Sequence, residues 1–259
     1  MKKTHAALFL SLLLTIFMIQ PLSAEITGKQ IMEDVYNKPT GDDMQGELTM
    51  TLTNKQGESR VRTLKQYIKY GDEVDKKIMF FQAPADVRGT SFMNWSYADG
   101  RDDDQWIYLP ALKRTKRISS DGKSDYFMGS DFTYDDLGDR HPDEDTHTLL
   151  REETLEGKTC WVVESIPKEE DYMYSKTITW VMKDNYLGLR REFYDEDGDL
   201  LKILTIKKFD QIDGFWTILE TEMKNVQKDH KTNMAFNNVQ INRGIPDRRF
   251  TERSMTLGR

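Results

Sequence analysis

The chain has 259 residues, with 37 Lys and Arg against 44 Asp and Glu, a formal net charge of −7, and 37% hydrophobic content. This acidic balance argues against a general nucleic-acid binder, because phosphate backbones select domains of net positive charge. One cysteine in the whole chain excludes an internal disulfide framework.

The first predicted element is the only long apolar block. Residues 6–19, AALFLSLLLTIFMI, hold no charge, follow Lys2 and Lys3, and precede Pro21-Leu22-Ser23-Ala24. A basic start, a short apolar centre and a small residue at the end are the pattern of a secretory signal peptide, and the run is shorter than the roughly 20 residues of a bilayer span. Cleavage is expected after Ala24, which removes two lysines and no acid and leaves a net charge of −9 over residues 25–259. No cysteine stands directly after the cleavage point, where Glu25 lies, so the mature chain is expected to be free in the periplasm, without a lipid anchor of its own.

A helix is predicted over residues 27–37, with Thr27 as its cap, Ile31 and Val35 on one face, Met32 beside them, and Pro39 beyond its end. The rest reads as β structure. Residues 47–54 alternate Leu48, Met50 and Leu52 with Thr49, Thr51 and Thr53, and strands follow over 60–70, 74–82, 90–97, 105–109 and 114–119. Residues 90–97 put Met93, Trp95 and Tyr97 on one face. Further strands are expected over 146–153, 159–166, 175–182, 189–194, 200–208, 215–226 and 232–241, with Ile178, Trp180 and Met182 sharing a face of the third. Asp197-Gly198 marks a hairpin. The pattern predicts about eleven or twelve strands joined by short loops, an antiparallel meander in one domain over residues 25–259. Residues 120–145 break the rhythm as a polar loop with a helical turn near Asp131 to Leu137. A basic tail from Gly244 is expected to end in a short closing helix.

Chemistry-bearing motifs are scarce. Asp135, His141 and His147 lie in an acidic stretch that could hold a divalent metal, yet there is no HExxH and no EF-hand spacing, and solvated charge is the simpler reading. There is no GxSxG elbow, P-loop or GxGxxG fingerprint, so no cofactor and no enzyme are expected. Cys160, in the strand-like run 158–163, reads as a buried inert thiol. Met, Trp and Phe recur on alternating strand positions, which suits either a packed core or a cavity for a greasy ligand in a partly closed barrel. Leu48, Met50, Leu52, Met93, Trp95, Tyr97, Ile178, Trp180 and Met182 are the candidate lining.

Three blocks carry a resemblance: residues 81–92 (FQAPADVRGTSF), 104–118 (DQWIYLPALKRTKRI) and 127–137 (FMGSDFTYDDL). In this order they resemble the outer-membrane lipoprotein-sorting protein-like family, related to the periplasmic lipoprotein carrier LolA. The resemblance spans nearly all of the mature chain and implies a mainly β protein: an unclosed antiparallel β-barrel of about eleven strands with a helical lid, LolA/LolB-like. It implies lipid or lipoprotein acyl chains on the concave side, transient membrane contact only, and a hand-off partner, either an RND-type inner-membrane exporter or an outer-membrane acceptor. Lys113, Arg114, Lys116 and Arg117 then offer contact with anionic headgroups or an acidic partner, against the plainer reading of a charged strand edge. Two rivals stand beside the carrier: a metal-assisted periplasmic hydrolase using residues 135–147, and an envelope interaction module without cargo.

Overall fold

Thr27 starts the first helix by a reciprocal cap. Its hydroxyl accepts the Gln30 N–H at 3.2 Å, and the Gln30 side chain accepts the Thr27 N–H at 2.9 Å. The structure, a computed structural model, describes residues 25–258; the predicted signal peptide, residues 1–24, lies outside the described residues. The helix, α1 (Gly28–Tyr36), lies flat against the backbone of residues 147–149. A Cβ on Gly28 would come within 2.7 to 2.9 Å of those backbone atoms, so only glycine permits the approach.

All the predicted strand segments form strands, so the count is 13 rather than eleven or twelve. They are β1 (Asp43–Thr53), β2 (Ser59–Lys69), β3 (Val74–Ala83), β4 (Ser91–Tyr97), β5 (Asp104–Leu109), β6 (Arg114–Arg117) and β7 (Asp145–Leu155), followed by β8 (Lys158–Pro167), β9 (Lys176–Met182), β10 (Gly188–Tyr194), β11 (Leu200–Ile212), β12 (Phe215–Asn225) and β13 (His230–Ile241). A second helix, α2 (Glu252–Leu257), closes the chain as expected. Every pairing is antiparallel, in the order β6-β5-β4-β3-β2-β1-β13-β12-β11-β10-β9-β8-β7. The sheet therefore ends on β6 and β7, which do not pair with each other: the barrel is unclosed.

Register assigns the faces, because directly opposed residues in an antiparallel pair point to the same side. Leu52 stands opposite Thr232, and the line continues through Met223, Leu204, Arg191 and Thr179 to Val163. In the other direction Leu48 faces Leu64, which faces Phe81, while Met79 faces Phe92. Phe127, Phe132 and Leu137 from residues 120–145 join one buried cluster with Leu48, Phe81 and Phe92 on one side and Phe193 and Met223 on the other. Strands far apart in the sheet thus meet through that segment, so the sheet curls around it and this is its inner face. Helix α1 covers another part of the inner face, placing Ile31 and Met32 on Trp161, Val163 and Val181.

The outer face carries its own cover. The tail places Ile245, Phe250 and Met255 over Ile78, Phe80 and Met93. Asp43, 4% exposed, accepts the N–H groups of Arg243, Gly244 and Ile245 at 2.8, 2.8 and 3.0 Å and fixes where the tail begins. Each buried large apolar side chain adds about 1.5–3 kcal/mol relative to exposure. Strands towards the two ends of the sheet are buried on both sides: β3, β4, β8 and β9 each hold four consecutive buried residues.

Candidate functional site

The inner face divides into an apolar half filled by residues 120–145 and a polar half that remains hollow. The filling segment has little regular structure, with short 3-10 turns at Phe127–Gly129 and Asp135–Leu137. Its apolar side chains insert into the sheet, but polar groups hold it there. Asp131, 2% exposed, accepts from Thr232 Oγ1 and from His230 Nδ1, both at 2.7 Å, and its own N–H donates to Thr232 Oγ1 at 2.9 Å. Asp136 accepts from the Thr133 N–H at 2.6 Å, from the Tyr174 hydroxyl at 3.0 Å and from the fully buried Lys202 ammonium. The rings of Tyr174 and Phe193 lie 5.0 and 5.1 Å from that ammonium. Three main-chain carbonyls of the segment, those of Met128, Tyr134 and Leu137, accept from Arg62, Gln105 and Lys77 on the sheet.

Burial sets the electrostatics. It pushes the Asp135 carboxyl above its ordinary value, opposed by a bond from the Tyr172 hydroxyl. Tyr172 is itself raised, by burial first and by Asp135 beside it. Asp103 is raised by burial although Ser96, Asn94 and the Asp139 N–H all donate to it. These are acids held in place by neutral donors, an arrangement that suits positioning a segment more than charging a surface.

The hollow half is a cavity of about 610 Å³ bounded by α1, the inner ends of β2–β4, residues 138–147 and the inward side chains Ser165 and Arg191. Burial lowers His147, whose ring nitrogens are both engaged, Nδ1 with Ser165 Oγ and Nε2 with the Pro142 carbonyl, each at 2.8 Å. Burial also lowers Arg191, whose Nε donates to Thr179 Oγ1 at 3.0 Å. A smaller cavity of about 340 Å³, lined by residues such as Asp102, Asp121, Lys123 and Glu169, opens beside the cover segment.

The nine residues proposed to line one cavity do not converge. Leu48, Met50 and Leu52 are on the inner face, in the cluster completed by the cover segment. Met93 and Trp95 are on the outer face under the tail, and Tyr97, also outward, bonds Asp104 at 2.8 Å. Ile178, Trp180 and Met182 belong to a second outer cluster with Cys160 and Val162. Alternation shows that residues share a face but not which face it is, and here both faces are apolar. Cys160 is fully buried and its thiol is pushed up by burial.

Lys113, Arg114, Lys116 and Arg117 are all exposed at the open edge formed by β6, with Arg117 paired to Asp104. Residues 131–137 do form a helical turn, at Asp135–Leu137, but not in the solvated loop that their charges suggest: Asp131 and Asp136 are buried against β11 and β13, and Phe132 packs in the core. The acidic stretch does not gather into a metal site either. Among the described residues no group of three or more His, Cys, Asp or Glu is placed to hold a metal. His141 caps the turn Pro142–Glu144 by accepting the Asp143 N–H, Asp135 faces Tyr172, and His147 faces Ser165. Sequence reading missed Lys202, Thr232, His230 and Arg191. Their only signal was a polar residue at an inward strand position, legible once the register is known. No described helix is long and apolar enough to cross a membrane.

Comparison with known proteins places this architecture. The model of a family described as an uncharacterized protein matches residues 73–257. A crystal structure of an outer membrane lipoprotein-sorting protein domain from Vibrio parahaemolyticus is 34% identical with a TM-score of 0.84, covering 88% of this chain and 98% of that one. A DUF1329 family protein from Desulfovibrio piger is 31% identical with a TM-score of 0.83, covering 88% and 97%. A LolA superfamily protein from Nitrosomonas europaea, 20% identical with a TM-score of 0.68 over 89% and 100%, shares the fold. No curated protein matches the chain. With these two relatives above 30% identity and the matched family model, the chain belongs to the outer-membrane lipoprotein-sorting protein-like family.

Proposed function

We propose that the chain is a non-enzymatic periplasmic carrier that holds a hydrophobic ligand, lipid or lipoprotein acyl chains, against the inner face of its open sheet. One observation carries this reading. The apolar inner surface is covered by a separate segment, residues 120–145, anchored largely by side-chain hydrogen bonds and one buried ion pair rather than by sheet pairing. Such a cover can leave as a unit and be replaced by an acyl chain, which gains roughly 0.8 kcal/mol per buried CH₂. The unclosed edges at β6 and β7 leave the sheet room to open. The description of the Vibrio relative as a lipoprotein-sorting domain supports the same reading.

Release then requires an acceptor with a better site or return of the cover, since a ligand shifts an equilibrium only by its differential affinity. The partner is an outer-membrane acceptor or an RND-type inner-membrane exporter, met through the exposed cations Lys113, Arg114, Lys116 and Arg117. Titration of the purified mature chain with a fluorescent acyl probe tests the reading. Saturable binding that strengthens in Asp131→Ala, where the cover is loosened, is the expected result. No saturable binding in either form would reject the carrier.

A further inference from the structure

We infer that the cavity under α1 is an anion site, in which Arg191 and Lys38 receive the phosphate or carboxylate headgroup of the carried molecule. The inference rests on the carrier reading and adds the chemistry of the ligand's polar end.

Arg191 projects from β10 onto the inner face, opposite Leu204 and Thr179. Arg191 is half-buried, and a guanidinium partly withdrawn from water is ordinarily paired with a carboxylate, because leaving it uncompensated is costly. Here only Nε is engaged, by Thr179 Oγ1, so the outer fork of the guanidinium is left for a bidentate partner. The two acids closest in influence are taken: Asp145 accepts from Arg140 at 2.7 and 2.8 Å, and Asp136 accepts from Lys202. Lys38, just after α1, lines the same cavity, and its ammonium has the Val35 carbonyl at 3.5 Å as its hydrogen-bond partner. Burial lowers both cations, and neither forms an ion pair among the described residues.

The acids of the cavity do not fill this place. Asp42, Asp72 and Asp139 are exposed at the rim, where water solvates them. Asp75 is half-buried, raised by its burial, and accepts the Gly71 N–H at 2.9 Å. His147 has both nitrogens engaged. Two half-buried cations without ion-pair partners among the described residues thus line a hollow of about 610 Å³, next to the apolar surface that would hold the chain of an amphiphile.

The test uses the mature protein with three probes: decyl phosphate, decanol and inorganic phosphate. Charge-assisted bidentate contact predicts that decyl phosphate binds at least about tenfold tighter than decanol. Arg191→Gln should remove most of that preference while leaving decanol affinity within about twofold. Lys38→Gln, outside the sheet, should remove a smaller part and decides the matter if Arg191→Gln does not fold. Equal affinity for the two decyl probes, or a preference untouched by both substitutions, would overturn the anion site and leave the carrier standing. If inorganic phosphate binds in an Arg191-dependent way while neither decyl probe binds, the anion site holds and the acyl-carrier reading fails.

Discussion

The two faces of the sheet are covered by different means. On the outer face, Ile245, Phe250 and Met255 lie on Ile78, Phe80 and Met93, with Asp43 fixing the start of the tail. On the inner face, Phe127, Phe132 and Leu137 insert in the same manner, but Asp131, Asp136 and Lys202 are buried with them. Apolar contact is lost when such a cover leaves, whereas a buried ion pair returns much of its cost to water, so its net stabilisation is small. Under the proposed function the outer cover stays in place as part of the core, and the inner cover is the one that exchanges.

The largest effects would break this contrast. Asp136→Ala strands the Lys202 ammonium and should cost about 3–5 kcal/mol in denaturant unfolding, most of it restored when Lys202→Met is added to Asp136→Leu. Phe250→Ala should cost a similar 3–5 kcal/mol or so through its cavity, without changing acyl-probe affinity. If Phe250→Ala altered binding as much as changes at Asp131, the assignment of a static outer face would be wrong.

A smaller effect sharpens the contrast. Asp131→Ala removes the bonds to Thr232 and His230 and should cost about 1–3 kcal/mol, with faster amide exchange confined to residues 120–145. Exchange spread evenly over the sheet would contradict a cover that moves as a unit.

Acid probes the hollow half. His147 is held below its ordinary pKa by burial, so the unfolded chain takes up a proton near pH 6.5 that the folded chain refuses. Its contribution to stability is present above that pH and lost as pH falls through it. Unfolding measured from pH 7.5 down to 5 should show this slope in the native chain and a flatter one in His147→Gln.

The smallest effect on stability is expected at the edge strand. Replacing Lys113, Arg114, Lys116 and Arg117 by Ser should change stability by no more than about 0.5 kcal/mol, since all four are exposed. Cosedimentation with anionic vesicles should nevertheless weaken, and unchanged cosedimentation would remove these residues from the docking proposal.

The strands and both helices were legible because their signals are local. Thr27 and Gln30 cap α1 within one turn, and Leu48, Met50 and Leu52 alternate with threonines within one strand. The faces were not legible, because where both sides are covered, as at Phe92 and Met93, apolar residues stand next to each other and no polar side marks the solvent. The burial of the cover segment is hidden in the sequence for a related reason. Its acids look solvated, yet the groups that satisfy Asp131 and Asp136 are Thr232, His230 and Lys202, some 66 to 101 residues away in sequence. Composition cannot encode such a pairing. The family blocks did include Phe127 to Leu137, so the resemblance pointed at the segment while leaving its place in the fold open.

The central claim is that the inner face accepts a hydrophobic molecule when its cover moves. The most direct measurement is purification of the protein from its native host, followed by mass spectrometry of what organic solvent extracts from it. The account predicts a stoichiometric amphiphile with an acyl chain and an acidic headgroup, reduced in Arg191→Gln. Repeated recovery of protein free of any hydrophobe, from the native and the Asp131→Ala forms alike, would contradict it.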